Sequence, residues 1–62
     1  MDMIKFVQLH SIVEMGIPGT TTTKLKEFLQ AQDQERQRWF DNASLMDVAD
    51  WVVATMRSQS KG

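Results

Sequence analysis

The chain has 62 residues, 42% hydrophobic and 24% charged, with 7 Lys+Arg, 8 Asp+Glu, one His and no Cys. That length supports one domain, residues 1–62, and is too short for most enzyme folds that need a deep pocket. The missing Cys excludes a disulfide framework and a Cys-based zinc site, and a net charge of -1 with ordinary apolar content excludes disorder by composition.

A domain of this size buries only about 60% of its extended-chain surface. Its expected stability is roughly 3–5 kcal/mol unless something adds to the core. His10 is the lone imidazole, so no metal is expected, and no cofactor either. A homodimer is therefore an expectation from size alone. Gln8, His10, Ser11 and Glu14 interrupt the segment after Lys5. No secretory signal or membrane span is read there, and the expected compartment is the cytoplasm.

In chain order, Met3–Gln8 reads either as helix, with Met3, Phe6, Val7, His10 and Val13 on one face, or as a short strand around Ile4–Phe6. Leu9–Met15 reads as helix. Gly16-Ile17-Pro18-Gly19 stops it. Gly16 suits a left-handed helix end, Pro18 cannot continue a helix, Gly19 allows a tight turn, and Ile17 is expected to be buried. Thr20–Thr23 suits a helix start, since a threonine hydroxyl can accept from backbone N–H groups two or three residues on. No Glu or Gln stands three residues after any of the four, so the pattern does not choose among them.

A second helix is expected from about Thr21 to at least Gln32, with Leu25, Phe28 and Leu29 inward. Gln30–Arg38 is rich in helix formers and poor in apolar anchors. It reads either as an exposed extension or as a break near Asp33, followed by a short helix that returns Trp39 and Phe40 to the core. Asp41–Ser44 reads as a linker. Ser44-x-x-Asp47 fits a capping box before a third helix, Leu45 to about Arg57, with Leu45, Val48, Ala49, Val52 and Met56 as its stripe. Residues 57–62 read as a frayed tail. The expected fold is all-α: a small three-helix domain with a helix-turn-helix-like first half, dimeric.

Catalytic constellations are thin. His10 with Ser11 or Ser44 and Asp47 supplies the names of a triad, as most chains of this size do. Asp47 and Asp50 stand opposite the apolar stripe, where carboxylates are solvated. The chain is read as a non-enzyme.

The segment Phe6–Leu29 has the layout of a helix-turn-helix. Threonine hydroxyls at a helix N-terminus, with Lys24 and Lys26 beside them, can meet phosphate. Thr20–Lys26 carries +2 through those two lysines. The run Phe6-Val7, Ile12-Val13-Glu14-Met15-Gly16-Ile17-Pro18-Gly19-Thr20 resembles the DNA-binding domains of the Mu phage transposase and repressor, and in layout excisionase-like winged helices. The resemblance covers about 25 of the 62 residues. It implies a DNA-binding regulator of phage or mobile-element type, with Thr20, Thr21, Thr22, Thr23, Lys24 and Lys26 on DNA. The chain departs from that pattern at Trp39, which comes late, and in having no hairpin wing. The other expected class is a protein-interaction module, an inhibitor or adaptor, whose partner or dimer surface is Trp39, Phe40, Met46 and Trp51.

Overall fold

The computed structural model describes residues 1–60. These form four helices: α1 (Met3–Gly16), α2 (Thr22–Gln30), α3 (Gln34–Asn42) and α4 (Leu45–Ser60), with no strand among the described residues. The all-α class holds, and the expected three helices become four. Met3–Gln8 is helical. The second helix ends at Gln30, and the stretch after Asp33 folds back as α3. Asp41 and Asn42 lie inside α3, and α4 runs on through Ser60 where a frayed tail is expected. The last two residues of that tail, 61–62, lie outside the described residues.

Each helix starts on a side-chain cap. Asp2 Oδ1 accepts from the Lys5 N–H at 2.7 Å, Thr21 Oγ1 from Lys24 at 3.0 Å, Asp33 Oδ1 from Arg36 at 2.8 Å and Ser44 Oγ from Asp47 at 3.2 Å. Such caps satisfy N–H groups that have no partner inside the helix. Asp33 therefore explains the extra helix, because it gives α3 its own start.

Side chains from outside each helix close the C-termini of α1–α3. Arg57 donates to the Gly16 carbonyl at 2.8 Å, at the end of α1. Lys5 Nζ donates to the carbonyls of Phe40 at 2.7 Å and Ala43 at 2.8 Å, at the end of α3. Gln32 donates to the Phe28 carbonyl at 3.0 Å and Gln37 to that of Leu29, at the end of α2. None of α1–α3 has a basic residue in its own last turn, so the cations at α1 and α3 are borrowed from elsewhere.

The core draws on all four helices: Leu9 and Val13, Leu25 and Leu29, Phe40, and Val48, Ala49 and Val52. α1 and α4 form its main pair. They run side by side in the same direction, since Lys5 reaches Ala43 just before α4 while Gly16 lies against Val53 and Arg57. A Cβ on Gly16 would stand 3.2 Å from a Val53 methyl, so glycine here serves close helix approach. The left-handed residue of the turn is Gly19 (φ 90), where Gly16 is expected to take that role. Ile17, expected to be buried, is half-buried.

Candidate functional site

The residues expected to meet DNA divide on folding. Thr20 is buried at 3% exposure. Its hydroxyl donates to the Ile17 carbonyl at 2.8 Å, and its own carbonyl accepts from His10 Nε2 at 2.7 Å. It locks the turn against α1 and is not available to a ligand. Thr21 is the cap of α2. Thr22, Thr23, Lys24 and Lys26 are exposed. A helix turns about 100° per residue, so Lys24 and Lys26 lie on opposite flanks of α2, with Glu27 between them. Three other cations are committed within the molecule: Lys5 and Arg57 to helix ends, and Arg36 to two indoles.

The aromatic residues expected to form a partner surface largely cover one another. Phe40 is a core residue at 2% exposure, which corrects its place on that surface. Trp39 and Trp51 are half-buried. Trp51 is the hub, with ring centroids 5.7 Å from Phe28, 5.5 Å from Phe40 and 6.0 Å from Trp39, the last edge-on. Arg36 lies over both indoles, 4.9 Å from Trp39 and 4.7 Å from Trp51. Its guanidinium supplies a cation–π cover that a small domain lacks the chain length to supply with another helix. Of the four expected surface residues, only Met46 is substantially exposed, at 57%.

The exposed apolar surface lies instead on α1. Met3 is 80% exposed, Ile4 73%, Val7 56% and Met15 84%. With Ser11 and exposed Glu14 they fall within an arc of about 120° on the side opposite Leu9 and Val13. Of the residues that the helical reading places on one face, Val13 is buried while Met3 and Val7 are exposed. Eight of the fourteen residues of α1 are large and apolar, so the helix is hydrophobic around most of its circumference while only one side meets the core. That excess is the sequence signal for the outward face. Met46 stands two helical turns before Val53 on α4 and is exposed. Met3 also lines a groove of about 500 Å³ with Phe6 of α1, Lys26 and Leu29 of α2 and Gln37 of α3.

The triad names also separate. His10 bonds Thr20, Ser11 Oγ donates to the Val7 carbonyl at 3.3 Å, and Ser44 caps α4. Among the described residues no three His, Asp or Glu side chains are grouped to hold a metal ion, and no helix is long and apolar enough to cross a membrane. Neither a family model, nor a curated protein, nor a solved structure matches the chain.

Proposed function

We propose that the chain is a small helical protein-interaction module acting in the cytoplasm, with the outward face of α1 as its docking surface. One observation carries this reading: four large apolar side chains of a single helix face are 56–84% exposed, while the aromatics elsewhere are covered. Exposed apolar patches of this kind mark partner surfaces. The reading needs no catalytic group and no cofactor. A photo-crosslinking residue at Val7, compared with one at Glu27 on α2, tests it in the producing cell. A discrete protein adduct from Val7 and none from Glu27 is expected. No adduct from Val7, or equal adducts from both, overturns it.

A second reading is a helix-turn-helix DNA-binding regulator of phage or mobile-element type. It is favoured by the exposure of Thr22, Thr23 and Lys24 at the start of α2, where first-turn N–H groups favour phosphate. It has weak electrostatic support, because Lys24 and Lys26 face apart and the whole chain carries -1. Gel shifts at rising salt check it. Salt-sensitive binding that Lys24→Ala plus Lys26→Ala abolishes would establish it, and no binding at low salt would remove it.

A further inference from the structure

We infer that the break between α2 and α3 is a hinge. The chain opens there into one helix over residues 22–42, and two opened copies exchange their α3–α4 halves, rebuilding the same core between chains. The inference goes beyond the docking role given to α1, whose outward face takes no part in the exchange. Three features point to it.

The first is the linker. Ala31, Gln32 and Asp33 alone separate the two helices. They include no Gly or Pro, and none of them has a positive φ. Ala31 already lies in the helical region (φ -75, ψ -10). At Asp33 (φ -71, ψ 173) only ψ departs from the helical value. The flanking residues of Gln30–Arg38 are mostly good helix formers, so local preference favours a continuous helix.

The second is hydrogen-bond balance. At the break the Phe28 carbonyl accepts from the Gln32 side chain at 3.0 Å and the Leu29 carbonyl from the Gln37 side chain, while the Arg36 N–H donates to the Asp33 carboxylate at 2.8 Å. In a continuous helix the same three groups pair with the Gln32 N–H, the Asp33 N–H and the Gln32 carbonyl. Each is satisfied in either state, so neither state leaves one of them without a partner. The Asp33 cap is what tips the balance toward the break.

The third is how the core divides. Half of its buried residues, Leu9, Val13, Leu25 and Leu29, come from α1 and α2, and the other half from α3 and α4. Lys5 and Arg57 each cap a helix of the opposite half. Neither half encloses a core alone. The opened helix is about 31 Å long, against about 21 Å for the 14 residues of α1. Within one chain it therefore carries Ala43 roughly 10 Å past Lys5, and the register of α1 on α4 is lost. A second opened copy restores that register, because α1 of each copy meets α4 of the other through the contacts already described. Exchange of identical elements is a low-cost route to a dimer.

Two substitutions push the hinge in opposite directions. Gln34 is exposed and is the first residue of α3. Proline suits that position and favours the extended conformation that Asp33, before it, already has. In the opened helix the same proline is interior and lacks the N–H for the Gln30 carbonyl. Gln34→Pro should disfavour opening by more than about a hundredfold per hinge. Asp33→Ala removes the cap and should favour opening by about fivefold per hinge, roughly thirtyfold in the dimerisation constant because each dimer holds two.

The test refolds full chains from denaturant at about 500 µM, far above a micromolar dissociation constant, and reads their mass by sedimentation equilibrium against 7.1 kDa for one copy. Asp33→Ala is expected to be mostly dimer. Gln34→Pro is expected to be a monomer that melts no lower than the parent, and the double variant a monomer again. In dimers of labelled and unlabelled Asp33→Ala chains, a nuclear Overhauser effect between Gly16 and Val53, in close approach in the closed chain, should run between copies. A folded, monomeric Asp33→Ala chain overturns the inference. So does a dimer that survives Gln34→Pro, or a Gly16–Val53 signal confined to single copies. If Asp33→Ala fails to fold, the parent decides. A dimer fraction that Gln34→Pro removes supports the hinge, and no dimer fraction overturns it.

Discussion

Two regions of this small domain carry large hydrophobic side chains that a single core cannot enclose, and they meet that problem differently. Around Trp51, rings from α2, α3 and α4 lean on one another, and Arg36 closes the outside of the cluster. Along α1, Met3, Ile4, Val7 and Met15 have no such cover. Aromatic rings can shield each other because they are broad, and a guanidinium can lie flat on an indole while keeping its edge wet. Unbranched and β-branched aliphatic side chains in one helical row have no neighbour from a second element to lean on. Residue size alone therefore does not predict which apolar surface remains open.

The largest expected effect breaks the covered region. Phe40→Ala removes a fully buried ring from the centre of the cluster and should cost about 3–5 kcal/mol. In a domain whose whole stability is expected to be of that order, denaturant unfolding should lose its cooperative transition. Arg36→Ala should cost about 1–2 kcal/mol, the range of a partly desolvated cation–π contact. It should also shift tryptophan emission to the red as both indoles gain water. Equal emission from the variant and the parent would show that the guanidinium does not cover the rings.

Thr21→Ala should cost about 1 kcal/mol through the lost cap. Thr22→Ala and Thr23→Ala should each fall within about 0.5 kcal/mol of zero. Thermal melts of the three variants separate the structural threonine of α2 from its exposed neighbours. The smallest effect belongs to the open region. Val7→Lys should move the unfolding free energy of the separated chain by less than about 0.5 kcal/mol. The comparison therefore reduces to one contrast: Phe40 matters to folding and Val7 matters to association.

Much of this fold is legible in the residues, and the exceptions have physical causes. Ser44 before the apolar stripe of α4 and the Gly-Ile-Pro-Gly turn both mark real boundaries, because caps and turns act over three or four residues. The break after Gln30 is harder. Gln30–Arg38 is built of good helix formers, and the split depends on Asp33 capping α3 while Gln32 and Gln37 satisfy carbonyls at the end of α2. The phase of α1 is hidden because both of its faces are apolar. The borrowed cations are hidden for another reason. Nothing near Gly16 signals Arg57, and nothing near Ala43 signals Lys5. Those two contacts also draw down the positive charge that the Thr20–Lys26 segment would need around it as a DNA surface. They are visible only once the chain is folded.

The side-by-side pairing of α1 with α4 has a consequence for how the protein comes into being. Its tightest approach joins Gly16 to Val53, and its cap joins Gly16 to Arg57, across some forty residues of chain. Contacts so distant in sequence form late, after the entropy of closing the intervening loop has been overcome. Until α4 packs, Leu9 and Val13 lack Val48 and Val52, the α4 members of the same core. Both faces of α1 are thus exposed in any state in which α4 is undocked. A stop introduced within α4 should leave a chain that is cleared by proteolysis and not a shortened working domain.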